Sequence, residues 1–298
     1  MVGIVGYLLK TSTDENLDLF NYMLNECKPP HTESDAVKIV LTPSSALGIV
    51  IPKYKALYDY AYDEQGLEAA IIYGYVICEG RRITAKEIIG MNYDEFVRLL
   101  EKADGSFSIV KMEGDKLYIA TDWIGTRPIY YTVSNEGIVF SSCLWSILRF
   151  FKETNRPLKI NDKAVIGYLW LGRIGVLKNW TFVEDVYTVP PGTMLMYNLE
   201  GVELSFHRYY ELRYKAKIAD EKLAVKLITL RLLKSIKEIL QALPDEMKKD
   251  ICAFLSGGLD SRVLTYCLKH YLKDKMQTFK AVSYTHLRAH ETSLHLVC

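Results

Sequence analysis

One stretch of the sequence, KKDICAFLSGGLDSRVLTYCLKHYLK (248–273), constrains the fold more than any other. Residues 248–255 are typical of a buried strand, and a glycine-rich loop separates them from a helical pattern at 260–273. Residues 276–282, MQTFKAV, predict the next strand. A strand, a loop, a helix and a second strand form a βαβ unit, which requires a parallel sheet. The sequence therefore predicts the start of an α/β domain here.

The preceding two thirds of the chain follow a different pattern, with short strands joined by tight turns. Residues 105–142 contain four strand patterns separated by the turn signals EGD, IGTRP and SNEG, which predict an antiparallel meander. The other predicted strands are GIVGYLL (3–9), VKIVLT (37–42), ALGIVIP (46–52) and EAAIIYGYVIC (68–78). The predicted helices are 92–104 with Asn92 as cap, 143–151, and 161–172 with Asn161 as cap and Gly172 at its end. This pattern indicates an antiparallel α+β domain.

The change of pattern lies near residue 215. Residues 218–243 place leucines along a helical stripe between lysines, which predicts a long amphipathic helix ended by Pro244. The expected organisation is a first domain at 1–212 and the start of a second domain at 213–282.

The bulk composition excludes several classes of function. The 298 residues carry a net charge of +1, so the chain has no electrostatic footprint for nucleic acid or for an acidic membrane. No apolar stretch is long enough to cross a bilayer, and we find no signal peptide. The six cysteines are scattered without a C-x-x-C pair, which favours reduced thiols in a cytoplasmic protein.

The loop LSGGLDSR predicts a phosphate site. Ligands of βαβ units bind at the carboxyl ends of the strands, where small residues permit close backbone approach and the next helix presents free amides. The serines add hydroxyl donors, while Asp260 would repel phosphate and is better suited to a Mg²⁺ ion that bridges phosphates. The predicted binding residues are Leu255, Ser256, Gly257, Gly258, Asp260 and Ser261, with Asp260 as the metal ligand. The alternative is a strand-to-helix turn without a ligand.

The same loop matches the pattern S-G-G-x-D-S and so resembles the pyrophosphate-binding loop of the PP-loop ATP pyrophosphatases. That family cleaves ATP between the α and β phosphates and forms an adenylated intermediate. The resemblance implies that the loop residues bind ATP and pyrophosphate, with ATP and Mg²⁺ as cofactors. It also implies an adenine nucleotide alpha hydrolase-like α/β fold for the second domain.

The first domain resembles the class II glutamine amidotransferases, which are N-terminal nucleophile hydrolases. The opening MVGIVGY is similar to their MCGIVGY, and residues 104–131 are similar to a segment of the asparagine synthetases. Further similar segments are FSSCLWSIL (140–148), VPPGTMLMYN (189–198) and RYYEL (208–212). The order of amidotransferase and PP-loop domains is that of asparagine synthetases, and the resemblance covers residues 1–282. It implies an Ntn-hydrolase-like αββα sandwich for the first domain.

The departures from this family concern the residues that carry glutaminase chemistry. Val2 stands where the family has its nucleophilic cysteine, and valine has no nucleophilic atom. The family's NGE segment is YGY here, so Gly74 remains but Tyr73 replaces the oxyanion-binding asparagine. The stretch SSALGIVIPKY (44–54) lacks the arginine that helps to hold glutamine in the family. Gly74 and Asp104 remain as a residual pocket, and we expect no catalytic residue in this domain.

Two other thiols are poor replacements for the lost nucleophile. Cys27 and Cys78 do not begin the chain and each lies within a predicted element, so we expect buried structural thiols. Without glutaminase, ammonia must come from solution or from a partner.

The resemblance implies an asparagine synthetase-type ligase. Aspartate or another carboxylate would attack the α-phosphate of MgATP, pyrophosphate would leave, and ammonia would displace AMP. The expected partners are therefore small-molecule substrates. The sequence does not decide whether the chain forms a homodimer. One alternative is a related amidating or cyclising enzyme, similar to β-lactam synthetases or lasso-peptide cyclases, which also lack the nucleophilic cysteine. The other is a non-catalytic interaction protein.

The last sixteen residues, SYTHLRAHETSLHLVC (283–298), break the pattern of the second domain. They resemble translated adapter or vector sequence, and we expect the chain to be a truncated form of a longer gene product. A metal site at His286 and His290, which have i,i+4 spacing beside His295, is the alternative. Because a single βαβ unit cannot complete a parallel sheet, we expect the chain as given to be inactive as a ligase.

Overall fold

The computed structural model describes the chain except for residues 1–2, 12–13, 30–32, 43, 54–56, 64–67, 173–178, 214–217, 219, 249–250, 256–257, 273–276 and 281–298. The tail with His286, His290 and His295 lies outside the described residues. The chain divides into two compact units, Met1–Arg213 and Tyr214–Cys298.

The first unit contains thirteen strands and five helices among its described residues. In chain order they are β1 (Gly3–Leu9), α1 (Asp14–Glu26), β2 (Ser34–Thr42), β3 (Ser45–Pro52), β4 (Tyr58–Tyr62), β5 (Glu68–Cys78), β6 (Arg81–Ile83), α2 (Ala85–Ile89), α3 (Tyr93–Lys102), β7 (Asp104–Glu113), β8 (Lys116–Thr121), β9 (Tyr130–Ser134), β10 (Gly137–Ser141), α4 (Leu144–Glu153), α5 (Asp162–Leu171), β11 (Tyr187–Thr188), β12 (Thr193–Asn198) and β13 (Glu203–Arg208).

Two antiparallel sheets are built from these strands. The first sheet has the order β11-β9-β10-β1-β3-β2, in which Val5 of β1 pairs with Ser141 on one side and Gly48 on the other. The second sheet has the order β13-β12-β8-β7-β5-β4, and β6 also pairs with β5. The predicted meander at 105–142 is therefore divided, with β7 and β8 in the second sheet and β9 and β10 in the first.

Three apolar clusters show how the layers are stacked. The first cluster lies between the two sheets and includes Ile4 and Leu47 from one sheet and Ile71 and Ile119 from the other. The second lies between the first sheet and helices α1 and α4. The third lies between the second sheet and helices α2 and α3. The order helix, sheet, sheet, helix is an αββα sandwich, which confirms the predicted fold class of the first unit.

Local signals in the sequence account for the ends of several helices. The Asn92 side chain accepts a hydrogen bond from the Glu95 amide at 3.0 Å, and the Glu95 carboxylate accepts from the Asn92 amide, which forms a capping box before α3. The Asn161 side chain caps α5 by accepting a hydrogen bond from the Ala164 amide at 3.2 Å. Gly172 ends α5 with a left-handed conformation at φ +67°, which glycine adopts at little steric cost.

The second unit contains α6 (Glu221–Ala242), α7 (Asp245–Lys248), β14 (Cys252–Leu255), α8 (Leu259–Leu272) and β15 (Gln277–Lys280). Strands β14 and β15 pair in parallel, with Cys252 opposite Gln277, and α8 connects them. This is the connection that the βαβ pattern predicts. Four buried residues from α6 and α8, Ile236, Leu240, Cys267 and Leu272, form the small core of this unit.

Across the described residues, none of the helices has both the length and the apolar character needed to span a membrane. The same residues contain no group of three or more histidine, cysteine, aspartate or glutamate side chains arranged to hold a metal ion.

Candidate functional site

Two glycines on neighbouring strands mark one end of the second sheet. Gly74 on β5 has φ +106° and Gly105 on β7 has φ +130°, both in the region that favours glycine. A Cβ atom on Gly74 would lie 1.9 Å from the carbonyl oxygen of Ser106, and one on Gly105 would lie 2.3 Å from that of Tyr75. The backbones of β5 and β7 therefore approach each other in a way that requires glycine at both positions.

The amide of Gly74, which sequence analysis identifies as a residual oxyanion donor, already has a partner. It donates a hydrogen bond to the carbonyl oxygen of Leu57 at 3.0 Å, next to the pairing of β4 with β5. An oxyanion hole requires donors that point at the developing charge before the reaction begins. In this structure the Gly74 amide is used within the protein.

The side chain of Tyr73 occupies the position next to this glycine. Tyr73 is only 8% exposed and belongs to the apolar cluster between the sheets. The guanidinium of Arg127 lies over its ring, 4.3 Å from the ring centroid, in a cation–π contact. The Arg127 Nε atom also donates to the backbone and side-chain oxygens of Ser106, both at 3.2 Å. An aromatic ring and a guanidinium group thus occupy the position for which sequence analysis expects an asparagine in the family.

Asp104, the other residue predicted for the pocket, begins β7 and is exposed. Its carboxylate accepts a hydrogen bond from the Gly105 amide at 2.7 Å. Burial and the negative charge of Asp104 raise the pKa of Tyr75, and the positive charge of Arg127 lowers it. The structure therefore brings Gly74, Asp104 and the glycine-rich crossing of β5 and β7 to the same end of the sheet.

One residue of this region, Asp122, was not identified by sequence analysis. It is 2% exposed, and its carboxylate accepts hydrogen bonds from the amides of Phe107, Ile124 and Thr126 at 3.1–3.2 Å. The Thr126 hydroxyl also donates to it. Asp122 thereby stabilises the turn that directly precedes Arg127. The signal in the sequence is an acid directly before a glycine-containing turn, a pattern common to many turns without such a role.

Val2, the residue predicted at the nucleophile position, lies outside the described residues. Its neighbour Gly3 packs against Cys27, since a Cβ atom on Gly3 would lie 2.5 Å from the Cys27 Cβ. Cys27 is buried in the cluster on the helix side of the first sheet, whereas Tyr73 lies between the sheets. Cys27 is thus a buried thiol, as predicted, although it follows α1 instead of lying within it. The prediction of burial was wrong for Cys78, which is partly exposed at the end of β5.

The glycine-rich loop of the second unit is described only in part. Ser256 and Gly257 lie outside the described residues. Leu255 ends β14, and the Ser261 hydroxyl donates to the carbonyl oxygen of Gly258 at 3.0 Å in the first turn of α8. Asp260 lies in the same turn and is exposed. The described part of the loop therefore places a carboxylate and a hydroxyl at the start of a fourteen-residue helix.

Comparisons with known proteins agree with the fold of the first unit. Residues 86–210 match the glutamine amidotransferase domain family. The chain is 29% identical over 178 residues to the putative asparagine synthetase [glutamine-hydrolyzing] 2 of Methanocaldococcus jannaschii, a match that covers 58% of this chain and 32% of that protein. It is 25% identical over 172 residues to asparagine synthetase [glutamine-hydrolyzing] 1 of Bacillus subtilis, which covers 56% of this chain and 24% of that protein. Residues 86–210 are therefore similar to a glutamine amidotransferase domain, and the chain is similar to part of these asparagine synthetases.

The matches to whole proteins are partial. The chain spans about a third or less of the length of these two relatives. Among solved structures, the allosteric regulatory enzyme of purine biosynthesis matches with a TM-score of 0.42 and 11% identity, over 70% of this chain and 49% of that one. Glutamine phosphoribosylpyrophosphate amidotransferase from B. subtilis matches with a TM-score of 0.40 and 12% identity over the same shares.

Proposed function

We propose that the first unit is an amidotransferase-like domain that no longer hydrolyses glutamine, and that it belongs to an ATP-dependent, amide-forming ligase. The observation that carries the first part is the hydrogen bond from the Gly74 amide to Leu57. The second part is supported by the family of the domain and by the loop that precedes α8.

Glutamine hydrolysis through a thioester requires a nucleophile and an oxyanion hole. Val2 supplies no nucleophilic atom. The amide of Gly74 is engaged by Leu57, and the ring of Tyr73 under the Arg127 guanidinium replaces an amide side chain. Two separate requirements of the reaction are therefore missing. The relatives in Methanocaldococcus jannaschii and Bacillus subtilis are named as glutamine-hydrolysing, so this chain would differ from them in its nitrogen source.

The proposed ligase reaction has two balanced steps. A carboxylate oxygen attacks the α-phosphorus of ATP, which gives an acyl-adenylate and releases pyrophosphate. Ammonia then attacks the acyl carbon, AMP leaves with the electron pair of the broken C–O bond, and the amide nitrogen loses a proton. Aspartate is the carboxylate that the family suggests.

The residues at the start of α8 fit the first of these steps. The helix N-terminus and the hydroxyl of Ser261 would stabilise the negative charge of pyrophosphate, together with the backbone of Gly258. The exposed carboxylate of Asp260 would hold Mg²⁺, which neutralises phosphate charge when bound. Ser256 and Gly257 would complete the loop.

Glutamate release from glutamine tests the loss of glutaminase. We expect none above background from the chain, and none from a Val2→Cys variant with Met1 removed, because the Gly74 amide and Tyr73 remain as they are. A Val97→Cys variant, which adds a partly buried thiol on α3, controls for non-specific thiol reactivity. Hydrolysis by the unaltered chain would overturn the proposal, and hydrolysis restored by Val2→Cys alone would show that the oxyanion site is still functional.

Exchange of labelled pyrophosphate into ATP tests the ligase. The assay uses the protein that contains this chain, with Mg²⁺ and a panel of carboxylates that begins with aspartate. We expect exchange that depends on one carboxylate and not on glutamine. Absence of exchange with every carboxylate would contradict the ligase, and a product cyclised on itself would favour the cyclising alternative.

A further inference from the structure

Two cysteines that are 116 positions apart in the sequence meet on the helix side of the first sheet. Cys27 follows the end of α1, and Cys143 is the N-cap residue directly before α4. The Cys143 side chain packs against the buried apolar cluster that contains Cys27, and each thiol shifts the pKa of the other. The Cys143 sulfur also lies 3.6 Å from the carbonyl oxygen of Glu26, the neighbour of Cys27. The fold therefore brings two free thiols close together.

The surroundings of the two sulfur atoms differ in access to solvent. Cys27 is 7% exposed, and its sulfur lies 3.1 Å from the Ser146 hydroxyl and 3.5 Å from the Ser141 hydroxyl. Cys143 is partly exposed, so a small molecule can reach it from solution. One cysteine of the pair is thus partly exposed, and the other is buried.

The pKa values of the two thiols are shifted in opposite directions. The interaction with Cys27, assisted by the amides of Ser146 and Trp145, lowers the pKa of Cys143 to about 6, although burial acts in the opposite direction. The interaction with Cys143 and burial raise the pKa of Cys27 well above its usual value. These shifts favour a thiolate at Cys143 and a protonated thiol at Cys27. Thiolates are the nucleophilic form of cysteine.

We propose that Cys143 and Cys27 form an oxidation site that reacts with hydroperoxides and closes a reversible disulfide. The Cys143 thiolate attacks the terminal oxygen of a hydroperoxide, the O–O bond breaks, and hydroxide or alkoxide leaves, which gives a sulfenic acid. The Cys27 sulfur then attacks the Cys143 sulfur, its proton leaves with the hydroxyl as water, and the S–S bond forms. The two sulfur atoms together lose two electrons, and the peroxide gains them. This proposal is independent of the ligase reaction.

The test is peptide mapping of the full chain without reductant, after treatment with hydrogen peroxide. We expect a Cys27–Cys143 linked peptide that disappears with dithiothreitol. The Cys143→Ser variant should leave Cys27 unoxidised. The Cys27→Ser variant should accumulate a Cys143 sulfenic acid that dimedone traps. The matched control is Cys78→Ser, which removes another partly exposed thiol of the same unit and should leave the cross-link unchanged.

A second measurement keeps the proposal falsifiable if a variant folds poorly. In the unaltered chain, iodoacetamide should modify Cys143 about tenfold faster than Cys78, whose pKa is raised by burial. Closing the 116-residue loop should raise the thermal midpoint of the first unit by about 10 °C, and dithiothreitol should reverse the shift. Equal modification rates at Cys143 and Cys78, or peroxide treatment without the linked peptide, would overturn the proposal.

Discussion

The two candidate sites of this chain differ in what their polar groups contact. At the end of the sandwich, the Gly74 amide, the Arg127 guanidinium and the Asp122 carboxylate all contact other groups of the first unit. At the start of α8, Asp260 is exposed to solvent in the first turn of a helix. Groups that bind a ligand must be accessible to it, so the comparison suggests a supporting role for the first site and a binding role for the second.

The largest expected loss of stability comes from adding a methyl group at Gly74 in the first site. We expect Gly74→Ala to reduce the free energy of unfolding by about 4 kcal/mol, because φ is +106° and the Cβ would lie 1.9 Å from the Ser106 carbonyl oxygen. Urea denaturation followed by tryptophan fluorescence measures this, since all four tryptophans belong to the first unit. The control is Gly80→Ala, at φ +80° with open space around the Cβ, where we expect about 1 kcal/mol. Equal losses of stability in the two variants would show that the crossing of β5 and β7 accommodates a side chain at position 74.

Removing the buried charge that supports the same region should have the next largest effect. Asp122→Asn loses charge-assisted hydrogen bonds to three amides and one hydroxyl, and we expect a loss of about 3 kcal/mol in the same assay. Asp115→Asn, in an exposed turn, is the control and should change the stability by less than about 0.5 kcal/mol. A small effect at Asp122 would mean that the turn before Arg127 holds its shape without the carboxylate.

The second site should respond in activity and not in stability. We expect Asp260→Asn to slow carboxylate-dependent pyrophosphate exchange about 100-fold, which corresponds to about 2.7 kcal/mol, because the variant loses the carboxylate proposed to hold Mg²⁺. The matched control is Glu221→Gln, an exposed acid in the first turn of α6. If both variants exchange at the rate of the unaltered protein, Asp260 has no part in nucleotide binding and the contrast between the two sites fails.

The smallest loss of stability is expected from removing the cation–π contact between Arg127 and Tyr73. Arg127→Ala removes the contact with Tyr73 and two hydrogen bonds to Ser106, and we expect a loss of about 1–2 kcal/mol. Arg208→Ala, which removes an exposed ion pair with Glu211 at 3.6 Å, should lose less than about 0.5 kcal/mol in the same urea titration. A crystal structure of the Arg127→Ala variant would show whether the Gly74 amide stays with Leu57.

Several local features of the fold could be predicted from the sequence, although the helix α1 (Asp14–Glu26) was not predicted. The long-range features could not be predicted. The strands 3–9 and 68–78 and the caps at Asn92, Asn161 and Gly172 follow from runs of apolar residues and from side chains that reach only three positions. The strand β4 (Tyr58–Tyr62) was not predicted, because its exposed and partly buried residues give no apolar run. Propensity and periodicity describe a segment, while sheet partners are chosen by the whole chain.

The same limit applies to the candidate sites. Sequence analysis identified Gly74 and Asp104, but the use of the Gly74 amide by Leu57 depends on how β4 pairs with β5. The proximity of Cys27 to Cys143 depends on the packing of α1 beside α4. The engagement of the Gly74 amide and the proximity of the two cysteines could therefore be recognised only in three dimensions, whereas the valine at position 2 and the glycine-rich loop are visible in the sequence.

The central strand of the first sheet has a consequence for synthesis of the protein on the ribosome. All seven residues of β1 are buried, and its neighbours are β3 and β10. Ser141, which pairs with Val5, is synthesised 136 residues later. At about 5–20 residues per second, the edge of β1 that pairs with β10 therefore has no partner strand for roughly 7–27 seconds. During that time β1 can pair only with β3. Its other edge, which is buried in the folded protein, leaves backbone hydrogen-bonding groups open to pairing with other chains. Slow translation between β3 and β10 would lengthen this period and favour aggregation of the unfinished polypeptide.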